Sequence, residues 1–203
     1  LGMLARAGFK PLEIREFTED RNPFNGKILF SRGPGFVLFE TPGGSKVWVG
    51  TTHAKSKSDN SKGVTQWRIR ELTRTREICG ELMKEGKADY VLMGGDFNDD
   101  FGKDSYELSL EQDALEVMVQ GSEQEKLICL DERILKANER AATYHCELKP
   151  PRYRSFLDHF FANPPLAELV KEVYIVDNPI AVVASDHLPL AAVFELPKKS
   201  SKN

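Results

Sequence analysis

Two short apolar runs each stop at a turn that carries a carboxylate. Tyr90-Val91-Leu92-Met93 runs into Gly94-Gly95-Asp96-Phe97-Asn98, and Ile180-Ala181-Val182-Val183 into Ser185-Asp186-His187-Leu188-Pro189. Runs of this length bounded by turn residues are predicted to be buried strands. The chain is therefore expected to fold around a sheet, with these acids at one edge of it. Packing gives little reason for a carboxylate at the end of a buried strand. A metal or phosphate site built at the sheet edge gives a good one.

Other segments extend the pattern. Strands are predicted at Ile28–Ser31, Phe36–Glu40 and Lys46–Thr52, the last two joined by a hairpin turn at Thr41-Pro42-Gly43-Gly44. Further strands are expected at Leu127–Leu130, Thr143–Leu148, Ser155–Phe161, Val173–Val176 and Leu190–Phe194. Gln66–Glu85 is the clearest helix, with Trp67, Leu72, Ile78, Leu82 and Met83 among charged residues and Gly86 as a stop. Leu108–Val119 and Pro164–Lys171 are weaker helical candidates, and Leu1–Ala7 reads as the end of a helix closed by Gly8. Strands outnumber helices and many connections are hairpin-like, which predicts a mixed or antiparallel sheet covered by helices.

The 203 residues suffice for one sizeable core. Residues 1–196 are expected to form a single domain and residues 197–203 a disordered basic tail. No apolar run is long enough to span a bilayer. A net charge of -3 does not mark a general polyanion binder, although a local basic patch remains compatible with it. Cys79, Cys129 and Cys146 show no CxxC spacing, which argues against a disulfide scaffold or a zinc ribbon. The chain begins at Leu1 with no leader-like segment, so it is expected to be processed, a fragment, or incomplete upstream.

Asp96 and Asn98 are two apart, so on an extended segment they share a side. An acid and an amide placed so can hold a water and a phosphoryl oxygen together. The competing reading is a turn in which both bond to nearby backbone. Asp186-His187 gains meaning beside Asp158, because a working imidazole usually gives its second nitrogen to a carboxylate. His53 ends its own strand, where a structural histidine is the plainer reading. Arg32 can reach a phosphate or lie in solvent. In chain order the set is His53, Asp96, Asn98, Asp158, Asp186 and His187, all near strand ends except Asp158, which falls inside the predicted Ser155–Phe161 strand. Their hard oxygens suit Mg²⁺, Mn²⁺ or Ca²⁺ rather than a thiolate metal.

This ordered set resembles the endonuclease/exonuclease/phosphatase superfamily, the DNase I-like metal-dependent phosphoesterases. The matching stretches are TTHAKSK (51 to 57), GGDFND (94 to 99), FLDHFF (156 to 161) and SDHLPL (185 to 190), spread from Ile28 to Phe194. The resemblance implies a four-layered α/β/β/α sandwich with mixed, mostly antiparallel sheets and its site at one end of the two facing sheets. It implies in-line attack of water on phosphorus, assisted by Mg²⁺ or Mn²⁺. Asp96 would orient or deprotonate the water, and Asn98 would hold it or a phosphoryl oxygen. His187, paired with Asp158, and His53 would bind the phosphate and stabilise developing charge. Asp186 would be the metal residue, and Arg32 a looser phosphate contact. His159 stands where the family often has an aromatic residue and reads as structural. The family's Asn and metal-ligand Glu are expected upstream of Leu1, since Glu13, Glu16 and Glu19 lie in the wrong context. On that expectation the chain alone is weak or inactive.

The implied partner is a phosphoester substrate, with nucleic acid among the candidates and no obligate protein partner. DNA, RNA, inositol phosphates and lipids all remain open. Lys55, Lys57, Lys62, Arg68, Arg70, Arg74 and Arg76 are candidates for a positive groove, or for a solvated loop and helix face. An inactive binding or scaffold domain that keeps the fold is the alternative function.

Overall fold

Strand alternation builds a six-stranded sheet in the computed structural model, which describes residues 2–57, 61–123, 125–131, 142–146 and 153–199. Its strands are β1 (Lys10–Glu16), β2 (Gly35–Glu40), β3 (Lys46–His53), β4 (Tyr90–Asp96), β5 (Ile128–Cys129) and β8 (Asp158–Ala162). They lie in the order β1-β2-β3-β4-β8-β5. Two short ladders accompany them, β6 (Tyr144–Cys146) with β7 (Tyr153–Ser155), and β9 (Val170–Ile175) with β10 (Leu190–Phe194). Among the paired strands only β3 and β4 run parallel. A parallel neighbour needs a long crossover, and the helix α1 (Lys62–Lys84) supplies it.

Ser61 starts α1 by accepting the Val64 amide on its hydroxyl at 3.3 Å, and Gly86, at φ +67°, lets the chain leave it. Thr65, Ile69, Leu72, Thr75, Cys79 and Leu82 recur at three- and four-residue steps and, with Ile78, form its buried stripe. That stripe packs on Phe36, Leu38, Trp48, Val91, Met93 and Phe161 from one face of the sheet. The short helices α2 (Ser105–Leu110) and α3 (Glu116–Val119) border the same core. Phe36, Met93 and Phe161 are wholly buried there, each worth about 2–3 kcal/mol. The alternate residues Val47, Val49, Leu92, Phe160 and Ala162 face the other way. They pack with Val170, Val173 and Phe194 of the small β9–β10 sheet and with Leu166 of α4 (Pro164–Ala167). The protein thus has the expected mixed α/β class with mostly antiparallel strands. Among the described residues, helices, large sheet and small sheet account for three layers of the expected sandwich.

Several local expectations are corrected. Residues 2–6 are not helical, and Leu4 is fully exposed, because so short a segment has no packed face to hold it. The unforeseen β1 follows, pairing with β2. Ile28–Ser31 is not a strand. Leu29 and Phe30 are buried in a loop, Ile28 makes a single bridge to Arg21, and the Leu29 carbonyl accepts the Trp67 indole N–H. Leu108–Val119 splits into α2 and α3, because Glu111 adopts a left-handed φ of +56° and Asp113 takes the Leu115 and Glu116 amides. Ser155–Phe161 breaks at Phe156-Leu157, so Asp158 begins β8 and does not lie inside a strand. The helix predicted at Pro164–Lys171 stops at Ala167, and β9 starts at Val170.

Ile180–Val183 is not a buried strand. It lies in an exposed helix, α5 (Pro179–Ala184), started by Pro179 and by Asn178, whose Oδ1 accepts the Ile180 and Ala181 amides. Glu147 and Leu148, at the end of the predicted Thr143–Leu148 strand, lie outside the described residues. Of the expected tail, Pro197–Lys199 runs along the β2–β3 turn. The Lys199 amide donates to Gly43 O at 2.9 Å, and its ammonium meets Asp89 at 2.7 Å. Residues 200–203 lie outside the described residues.

Candidate active site

Register brings three of the expected residues into one row. His53, the last residue of β3, pairs with Asp96, the last of β4, and Asp96 pairs with Asp158, the first of β8. All three lie on the face of the sheet that also carries Val49, Leu92 and Phe160. The close approach of β3 and β4 needs Gly95. At φ +144°, a Cβ there would stand 2.1 Å from the Thr52 carbonyl oxygen.

The Asp96 carboxylate is held from several sides. Asn98, in the left-handed region at φ +53°, donates its amide to Oδ1 at 2.8 Å and its side-chain Nδ2 to Oδ2 at 3.1 Å. The same Nδ2 also donates to Ala54 O at 3.0 Å. The turn and site readings of GGDFND therefore coexist, since the turn itself fixes the carboxylate. His53 Nε2 stands 3.3 Å from Asp96 Oδ2.

His187 comes from the loop before β10. Its amide donates to Ser185 Oγ at 3.0 Å, it forms a bridge with Tyr144, and the two rings meet tilted with their centroids 4.9 Å apart. Nδ1 is 2.8 Å from Asp158 Oδ2, which leaves Nε2 directed at Asp96 Oδ2 4.0 Å away. Thr143, which no motif singles out, fixes this arrangement. Its hydroxyl oxygen accepts both the Leu157 and Asp158 amides at 3.0 Å, and its carbonyl accepts the Leu188 amide at 2.6 Å.

The electrostatics separate the two imidazoles. The hydrogen bond to Asp158 raises the His187 pKa above that of a free histidine, with the Asp158, Asp96 and Asp186 charges adding to it and burial opposing. Burial lowers His53, and the Arg32 and His187 charges add to this, while the Asp96 and Asp158 charges oppose it. Burial raises Asp96, as does the neighbouring Asp158 charge, while the Asn98 amide and the two imidazoles oppose. The edge thus shifts its two imidazoles in opposite directions.

Asp186 and Arg32 are not bonded into this row. Both side chains are exposed, and each reaches it only through its charge, on His187 and His53 respectively. Arg32 lines a cavity of about 440 Å³ with Thr51, Glu16 and Val37. Asp96, Asp158 and Asp186 are hard oxygen donors on one edge, and two of them stand side by side in a half-buried row where each would gain from a nearby cation. That chemistry fits Mg²⁺ or Mn²⁺, ions that keep several waters and take one or two carboxylates plus substrate phosphate. Glu13, by contrast, is committed to Arg15 and Lys87.

The basic candidates divide. Arg68 is wholly buried and donates Nε to Asp99 at 2.6 Å, and Lys57 pairs with the same carboxylate. Arg74 is held by Asp20 and Glu81, and Arg76 donates to Val117 O. These residues support α1 and the loop after Asn98 and do not line a positive groove.

A mixed sheet with helices on one face, a small sheet on the other and carboxylate–imidazole pairs at one edge is a DNase I-like architecture. A crystal structure of D. rerio TDP2 complexed with single-strand DNA product shares it over 94% of this chain and 70% of that one, at TM-score 0.62 and 15% identity. The human Nocturnin catalytic domain with bound sulfate matches over 91% of this chain and 60% of its own, at TM-score 0.61 and 14% identity. An AP endonuclease from Archaeoglobus fulgidus matches over 92% and 72%, at TM-score 0.56 and 19% identity. All three are members of the DNase I-like endonuclease/exonuclease/phosphatase superfamily, and this chain has that superfamily's fold. No protein-family model matches the chain, and no curated protein matches it.

Proposed function

We propose that the protein is a metal-assisted phosphoesterase in which water attacks phosphorus at the Asp96–Asp158 edge. The observation that carries this reading is the row itself: a base, an imidazole-bearing carboxylate and a second imidazole, drawn from three strands and one loop to a single half-buried edge. Asp96, fixed by Asn98, accepts the proton of the attacking water. The new oxygen–phosphorus bond forms as the ester oxygen departs on the opposite side. His187, held by Asp158 with Nε2 directed inward, stabilises charge growing on the phosphoryl oxygens. His53, whose pKa burial lowers, donates a hydrogen bond to the same group, and Arg32 adds positive potential beside it. Asp186, with phosphate oxygens, would hold Mg²⁺ or Mn²⁺, which supplies neutralisation of phosphate charge when bound.

The single-strand DNA product in the D. rerio neighbour makes a nucleic-acid diester the first natural substrate class to examine. The direct test is hydrolysis of bis(p-nitrophenyl) phosphate by the parent protein that contains this chain, with Mg²⁺ and then with excess EDTA. Hydrolysis with Mg²⁺ that chelation abolishes is expected, and Asp96→Ala is expected to lower kcat by about a hundredfold or more. Equal rates with and without chelator would end this reading. DNA binding without any turnover would favour a binding domain on the same fold.

A further inference from the structure

A second cluster lies on the helical face of the sheet, opposite the Asp158 row. The sulfur of Cys129, a carboxylate oxygen of Asp131 and a ring nitrogen of His159 all lie within 4.8 Å of one another, and all three residues are buried. The proposed hydrolysis uses none of them. His159 Nε2 is 3.0 Å from the Asp99 carbonyl oxygen, which can only accept, so Nε2 carries a hydrogen. Its Nδ1 then faces Asp131 Oδ2 at 3.0 Å, and that oxygen already takes the Phe160 amide at 3.0 Å. Two acceptors at this distance need a positive centre between them, either a proton or a metal ion. Cys129 Sγ stands 3.6 Å from the same oxygen.

We propose that Cys129, Asp131 and His159 form a structural site for a borderline transition-metal ion, Zn²⁺ first. The donor set is the sulfur, nitrogen and oxygen mixture that zinc takes, and it does not suit Mg²⁺. The spacing fits as well. Zn–S of about 2.3 Å and Zn–O of about 2.0 Å at a tetrahedral angle put sulfur and oxygen about 3.5 Å apart. The Nε2–H bond to the Asp99 carbonyl is the outer contact that a metal-bound histidine makes.

Charge balances too. Bound as thiolate, carboxylate and neutral imidazole, the three donors carry two negative charges, which a divalent ion neutralises. Water would take the fourth position. Such an ion would tie the end of β5 to β8 and, through Asp99, to the turn carrying Asp96 and Asn98. A site this deep fills as the chain folds.

The test refolds the full chain from denaturant with chelated and desalted buffer, then with one equivalent of ZnCl₂ or CoCl₂. One ion per chain should survive desalting, with release of about two protons per ion near neutral pH. The cobalt form should show a thiolate-to-metal charge-transfer band that Cys129→Ala removes and Cys79→Ala keeps. A chain that regains native circular dichroism yet retains no ion, or a cobalt form without the band, would overturn the site and leave a shared proton there. So would a band that persists in Cys129→Ala. Metal content and spectra do not depend on phosphoesterase turnover, so this site and the proposed hydrolysis stand or fall separately.

Discussion

At the scale of single residues, the Asp158–His187 bond decides how the edge responds to pH. The bond lifts His187 above the ordinary histidine value of about 6.5, which favours the imidazolium. A group raised in the folded state stabilises the fold fully below its unfolded pKa, and that contribution is lost as pH rises through the folded value. The same titration sets the alkaline limb of kcat/KM if the imidazolium meets the phosphate. Asp96 sets the acid limb, displaced upward from the usual carboxylate value by burial. Asp158→Asn removes the charge and leaves at most a neutral amide oxygen to accept from His187 Nδ1. It is expected to move the alkaline limb toward pH of about 6.5 and to lower kcat/KM by about a hundredfold. The pH–rate profile of the variant checks this, and an alkaline limb that stays in place would show that His187 is not the titrating group.

At the scale of elements, two variants probe how the row is held. Gly95→Ala puts a Cβ against the Thr52 carbonyl at a positive φ, and is expected to destabilise the fold by about 2–3 kcal/mol in urea unfolding. Arg68→Met leaves the buried Asp99 carboxylate with Lys57 as its remaining cation. A loss of about 3 kcal/mol is expected, with a fall in turnover because Asp99 directly follows Asn98. A variant as stable as the parent would show that the pair is neutral to folding.

These supports explain what was legible in advance. The Gly94-Gly95-Asp96 turn and α1 were readable because local chemistry alone determines them: a glycine-permitted strand end, and a capped amphipathic stripe. The placement of His53, Asp96, Asp158 and His187 on one edge followed from motif order. β1 was not read as a strand, because Pro11 and four charged residues fill KPLEIRE, and its alternating Leu12 and Ile14 are exposed where a core face would bury them. Ile180–Val183 misled because apolar composition cannot separate a short strand from a short helix, and here Asn178 and Pro179 tip it to helix. Thr143 and Asp131 act through bonds to backbone amides from distant segments, and no spacing in the chain announces such contacts.

At the scale of the whole molecule, charge limits how the protein can meet a polyanion. The net charge is -3, and many cations are already spoken for. Arg15 lies between Glu13 and Glu85, Lys84 meets Glu125, Lys171 meets Glu195 and Lys199 meets Asp89. Arg74 and Arg68 are paired as described. Near the row, Arg32 and His187 are placed to meet phosphate. Each phosphate neutralised on a single strand contributes about -0.7 to the slope of log K against log salt. Two or three such contacts give a slope between about -1.4 and about -2. Single-stranded oligonucleotide binding by the full chain, followed by fluorescence anisotropy between about 50 and 200 mM salt, is expected to show that shallow dependence. The substrate would then be recognised through two or three phosphates at the edge. A slope of about -5 or steeper would require a basic track along the molecule that the paired arginines of α1 do not provide.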